Sequence, residues 1–146
     1  MYNFYGTGKN MLKRFSISLE DSLLDIFDRH ISERRYSNRS EAVRDLIRGA
    51  FIQKEWQSDK VVAGLISLVY DHHQHKLQDK VTLLQHDYHH LIVCTTHVHM
   101  DHHNCLEVII VKGKGAEVRE LADKLIALRG IRDGNLTMTS TGEALR

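Results

Sequence analysis

The sequence contains no proline, so no fixed φ marks a turn, and breaks must be read from Gly, Asn and Asp clusters and from changes of apolar period. Its two cysteines, Cys94 and Cys105, are too few for a disulfide framework, and a reduced, cytoplasmic chain is the expectation. No apolar run approaches the roughly 20 residues needed to cross a bilayer, so no membrane partner is expected. The opening MYNFYGTGKN lacks the apolar stretch of a signal peptide. Charge of one sign is also missing: Lys+Arg number 20 against Asp+Glu 19. Neither half is a polybasic arm. A length of 146 residues allows one compact domain or two small ones, which excludes a large enzyme.

Histidine is abundant instead. Of the 11 in the chain, ten fall between His72 and His103. The N-terminal part is organised differently. Residues 1–10 have no period and suggest a loose arm. Residues 14–19, RFSISL, alternate, so a strand there places Phe15, Ile17 and Leu19 on one face and Arg14, Ser16 and Ser18 on the other. Such a strand needs a partner, and nothing else in the first 60 residues supplies one. Asp21 or Ser22 can cap a following helix with a buried stripe of Leu23, Leu24, Ile26, Phe27 and Ile31. Residues 34–37 read as a turn. Asn38 and Glu41 then make a capping-box pattern before a second helix with Val43, Leu46, Ile47, Ala50 and Phe51 on its apolar face.

One orphan strand and two helices in about 45 residues hold too little core to stand alone. Two chains that pair their strands and pool their helices solve the problem, which is a ribbon-helix-helix unit. Arg14, Ser16 and Ser18 would then lie on a two-stranded ribbon of a width that the DNA major groove admits. The second helix start offers free amides to backbone phosphates. A merely solvated polar face is the competing reading of the strand alone.

Residues 56–59 read as a short hinge. Beyond it, residues 61–70 have strand composition, 71–90 a helical period and 91–100 alternation. Residues 105–112 form another apolar strand, 116–128 a helix and 131–139 a last strand. This β-α-β-β-α-β order is the ferredoxin-like pattern, and the class is α+β. The expected division is an arm over 1–10, a ribbon-helix-helix domain over 11–56, a ferredoxin-like domain over 60–140 and a tail over 141–146.

His97 and His99 share a side of their strand because the side-chain period is two. Cys105 opens the return strand, so its thiolate comes back near them across a hairpin. Cys94 has the opposite parity and reads as core. On the preceding helix Leu77, Val81, Leu84 and Tyr88 define the buried stripe, and His86 lies roughly opposite Leu77. It points away from its own sheet and could complete a site on a neighbouring chain. His72, His75, His102 and His103 read as solvated. Three imidazoles and a thiolate suit a borderline transition metal, with Zn(II) favoured by tetrahedral geometry and Ni(II) or Cu(II) by square-planar geometry. The run from His97 to His102 also reads H-x-H-x-D-H, similar to the signature of dizinc hydrolases. That family needs further ligands downstream, and no histidine follows His103.

RFSISL, NRSEAVRDLIR, Gln85-His86, His97-x-His99 and Cys105-Leu106-Glu107, in that order, resemble the nickel-responsive transcriptional regulator family (NikR) over residues 12–140. The resemblance implies a non-enzymatic DNA-binding repressor of nickel uptake, with a ribbon-helix-helix domain and an ACT-type metal domain. It implies a homotetramer, a dimer of dimers, that meets two half-sites of double-stranded operator DNA. It further implies one square-planar Ni(II) per chain held by His97, His99 and Cys105 of one chain and His86 of another. Tyr70 and Glu107 would support that site, and Arg14, Ser16 and Ser18 would read bases. Glu41 and Asp45 match a second, weaker cation site. Arg35 departs from the family, which usually has glycine there. A regulator answering to Co(II), Cu(II) or Zn(II), and a metal-storage or chaperone protein without specific DNA binding, are the alternatives.

Overall fold

A computed structural model describes residues 12–145, so the expected arm over 1–10, Met11 and Arg146 lie outside the described residues. Two helices come first, α1 (Asp21–Arg34) and α2 (Arg39–Trp56). There follow β1 (Val61–Asp71), α3 (His75–Asp87), a 3-10 turn (His89–Leu91), β2 (Ile92–His99), β3 (Asn104–Lys114), α4 (Gly115–Ile126) and β4 (Ile131–Thr139). The four strands form one antiparallel sheet in the order β2-β3-β1-β4. That order, with a helix after β1 and another after β3, is the ferredoxin-like α+β arrangement.

The sheet's periodicity explains its packing. Along β1 the alternate residues Val62, Gly64, Ile66, Leu68 and Tyr70 are buried while their neighbours are not. They face α3 and α4, which contribute Leu77, Val81, Val118, Leu121 and Leu125 to the same core. Each such side chain, fully removed from water, contributes roughly 1.5–3 kcal/mol. Among the described residues no helix covers the other sheet face. Val98, Met100 and Ile110 are exposed there, and so is Cys94, which pairs with Ile110. This corrects the expectation that Cys94 is core: its face is apolar, but a face becomes core only when something covers it.

Three further expectations change at the N-terminal end. Residues 12–20 form no ladder, because among the described residues the strand expected over 14–19 has no second strand to pair with. The apolar stripes of α1 and α2 are correspondingly open, with Ile26 54% and Phe51 55% exposed. Finally, α1 is capped by Glu20 backbone alone, with Asp21 already in its first turn, so neither Asp21 nor Ser22 caps it.

The turn between the helices is built from local chemistry. Arg35 adopts φ 57° and ψ 35°, and its own amide and that of Tyr36 return to the carbonyls of Ser32 and Ile31. This left-handed C-terminal stop usually uses glycine. Asn38 accepts from the Glu41 amide at 3.0 Å, as a cap should. Glu41 does not return the bond; its carboxylate pairs with Arg44 at 2.6 Å.

The expected hinge begins one residue later than the sequence suggests. Trp56 is 2% exposed, and its indole Nε1 donates to Thr139 O at 2.8 Å. The end of α2 is thereby fastened to β4. A side chain at Gly115 would begin 2.7 Å from the Trp56 carbonyl oxygen, so glycine permits α2 and α4 to meet there.

Candidate metal centre and DNA-facing segment

The β2–β3 hairpin positions the candidate ligands. Asp101 closes its turn, accepting from the amides of His103 at 2.8 Å and Asn104 at 2.7 Å and from the Asn104 side chain at 2.8 Å. These donors favour the carboxylate and lower its pKa to about 2. Asp101 is thus engaged in the turn, which removes the aspartate of the H-x-H-x-D-H reading. With the turn fixed, His99 stands directly opposite Cys105 and His97 opposite Glu107. All four lie on the helix-covered face, where Tyr70 on β1 neighbours Cys105.

Around His97 the support is polar and buried. Its Nδ1 lies 3.7 Å from Glu107 Oε2, and its ring centroid is 5.2 Å from that of His99. Glu107, 5% exposed, accepts from the Tyr70 hydroxyl and from Gln85 Nε2. Gln85 Oε1 in turn accepts from Thr95 Oγ1 at 2.9 Å. A buried carboxylate is tolerated only with such donors. Burial first, and then the bond to Glu107, push the Tyr70 phenol well above its ordinary range, so it remains a donor. Thr95 is the member of this chain of bonds that the sequence did not point to; its outward polar neighbours on β2 hide it.

Cys105 is fully buried and donates its thiol to Tyr70 O at 3.3 Å. Burial raises its pKa. A metal bound there would therefore have to displace the thiol's proton. In a single chain the donor atoms of His97, His99 and Cys105 do not gather within 4.8 Å of one another, since the one such group among the described residues is Asp71, His72 and His73. His86 sits on the exposed side of α3, 6.2 Å from His89 between ring centroids, and joins none of the three. Two imidazoles beside a buried thiol are nevertheless a chemically sound set for a borderline or soft transition metal.

His72 also departs from expectation. It is half-buried, wedged between His73 and His99 at centroid separations of 4.2 and 4.5 Å, because the chain is still leaving β1 at this point and α3 starts only at His75. His75, His102 and His103 are exposed as expected.

Arg14, Ser16 and Ser18 are all exposed on the segment before α1. Residues 12–17 and the first turns of α2 line a groove of about 590 Å³ that includes Arg39 and Arg44. Glu41 and Asp45 are held within the chain, by Arg44 and by the Tyr36 hydroxyl respectively. Among the described residues they join no group of metal-ligating atoms.

Comparison with known proteins gives two matching family models. Residues 63–139 match the NikR C terminal nickel binding domain, and residues 13–53 match the ribbon-helix-helix proteins of the copG family. A protein of Desulfotalea psychrophila that carries the name nickel-responsive regulator is 69% identical over 135 residues, covering 92% of this chain and 99% of that one. Proteins of the same name from Desulfovibrio desulfuricans and Solibacter usitatus are 52% and 49% identical, each covering 92% of this chain and 97% and 98% of their own. Among solved structures, an uncharacterized protein of Thermotoga maritima superposes with a TM-score of 0.51 at 15% identity, covering 56% of this chain and all of that one. That last likeness concerns the fold alone. Among the described residues no helix is long and apolar enough to cross a membrane.

Proposed function

This chain belongs to the NikR family of nickel-responsive transcription regulators, and on that premise we propose that it represses nickel uptake genes in the cytoplasm when Ni(II) is bound. The observation that carries this reading is His97 and His99 side by side on β2, His99 facing the buried Cys105 across the hairpin and a hydrogen-bonded Glu107 behind His97. One Ni(II) per chain would take His97, His99 and Cys105, with His86 arriving from another copy. Bound there, the ion supplies a fixed cross-link between chains.

The chain's own residues do the rest. Glu107 and Tyr70 orient His97 and the thiol, as groups behind a metal ligand do. Gln85 connects Glu107 to α3, so a shift at the ligands is felt one residue from His86. A second copy would cover the open apolar stripes of α1 and α2 and pair the strands over 14–19, presenting Arg14, Ser16 and Ser18 to DNA. A dimer of dimers then offers two ribbons to two half-sites. Nickel favours DNA binding only by preferring the arrangement that fits both.

The test combines two readouts. Ni(II) added to the protein should give a thiolate-to-nickel charge-transfer band that Cys105→Ala removes. Ser16→Ala should abolish operator binding and leave that band intact. A band that survives Cys105→Ala sinks the ligand set, and unchanged operator binding by Ser16→Ala sinks the ribbon.

A further inference from the structure

His86 stands in the last turn of α3, and the buried residues of that helix do little to hold this end. They are Leu77 and Val81, and even Val81 lies more than one turn before His86. The helix also ends without a left-handed stop, since Tyr88 at its C-cap has φ −106° and ψ 24°. Helix ends fray unless a cap or packing holds them.

Tyr88 supplies the fastening. Its amide donates to Leu84 O at 3.1 Å, and its half-buried ring packs against the core. Its hydroxyl donates to Glu120 Oε1 on α4 at 2.8 Å and accepts from Lys124 Nζ at 2.6 Å. Lys124 donates to the same Glu120 oxygen at 2.6 Å, and its ammonium stands 5.1 Å over the Tyr88 ring. Glu120 and Lys124 are one helical turn apart, so α4 presents them side by side. Lys124 first, and then Tyr88, hold the Glu120 carboxyl below its ordinary range, which keeps the acceptor ionised at neutral pH. Hydrogen bonds with ionised partners are stronger than neutral ones.

On the reading that His86 completes a nickel site on another chain, we propose that Tyr88, clasped by Glu120 and Lys124, is a positioning residue for His86. The clasp keeps the last turn of α3 formed, so the imidazole is in place before the metal arrives. His86 lies between two tethered neighbours. Gln85 bonds to Glu107 and Thr95 on the sheet, Tyr88 bonds to α4, and the His86 ring itself is exposed. A ligand that is in place only part of the time binds metal more weakly in proportion to that fraction.

The experiment measures Ni(II) affinity of the full chain by competition with a chelator, as a double-mutant cycle with His86. Tyr88→Phe keeps the ring and removes the hydroxyl, and should weaken nickel binding about three- to tenfold. Glu120→Ala should do the same, whereas Asp123→Ala, at an exposed acid of α4 outside the clasp, should not. Without metal, Tyr88→Phe should speed hydrogen exchange at the Asp87 and Tyr88 amides and leave α4 unchanged. On a His86→Ala background, Tyr88→Phe should cost no further affinity, because no imidazole remains to be placed. A general loss of structure would cost the same on either background. If His86→Ala alone leaves nickel affinity unchanged, the ligand reading fails and the clasp's role with it. If His86→Ala weakens binding but Tyr88→Phe does not, or Tyr88→Phe weakens it equally on both backgrounds, the positioning role alone is overturned. Unaltered exchange at the end of α3 would overturn it too.

Discussion

Arg35 occupies a left-handed conformation that costs a side-chain-bearing residue roughly 1–2 kcal/mol, while a glycine there costs more in the unfolded chain. The two terms partly cancel, and the strain is the larger. Arg35→Gly should therefore raise stability by about 1 kcal/mol, visible as a higher thermal midpoint. A lowered midpoint would show that the Arg side chain contributes contacts that outweigh its strain.

At the same scale, Cys105 sets a pH dependence. Burial raises its pKa, so on the proposed ligand set the thiol would have to lose its proton when a metal binds. Nickel affinity should then increase about tenfold per pH unit from this group alone, until pH passes the thiol's pKa. Cys105→Ala should reduce the slope of log affinity against pH by about one in competition titrations. Asp101 acts in the opposite range. Its lowered pKa of about 2 gives the hairpin turn a stabilising contribution present above the ordinary carboxylate range, which is lost as pH falls toward 2.

At the scale of elements, Trp56 decides how α2 meets the sheet. It is buried, its indole donates to Thr139 O, and the Arg119 guanidinium stands 5.6 Å over its ring. Trp56→Ala should cost about 3–5 kcal/mol, measured by denaturant titration. A loss under about 1 kcal/mol would mean that α2 is held by other contacts.

Trp56 also shows where sequence reasoning stops. The strands over 61–139 were legible because residues 61–70 and 105–112 have apolar strand composition and 91–100 alternate, and the hairpin brought Cys105 back near the same-side pair His97 and His99. An aromatic at the end of a helix, followed by Gln, Ser and Asp, reads locally as a break; its burial depends on a carbonyl 83 residues away. Parity likewise told which side Cys94 is on, but not whether anything covers that side. The convergence of Asp71, His72 and His73 depends on the residue at which β1 ends, which periodicity locates only to within a residue or so.

At the scale of the whole molecule, many of the exposed apolar residues lie on two separate surfaces, while Leu83 on α3 lies on neither. Phe15 and Ile17, 69% and 64% exposed, lie with the open stripes of α1 and α2, whereas Val98, Met100 and Ile110 lie on the helix-free side of the sheet. Contiguous apolar surface of this kind marks a contact with another chain. Two such surfaces per chain allow a dimer of dimers, one surface pairing ribbons and the other joining metal domains. Ile17→Asp places a charge in the ribbon contact alone. It should abolish operator binding and leave a dimer joined through the metal domains, seen as a lower sedimentation coefficient than that of the unsubstituted protein, with the nickel charge-transfer band retained. Val98→Asp acts on the other surface, and should shrink the assembly and remove the band if, as proposed, His86 arrives from a neighbour. If instead Ile17→Asp dissociates the protein to monomers, the ribbons and not the sheets hold the assembly together, and the two surfaces exchange roles.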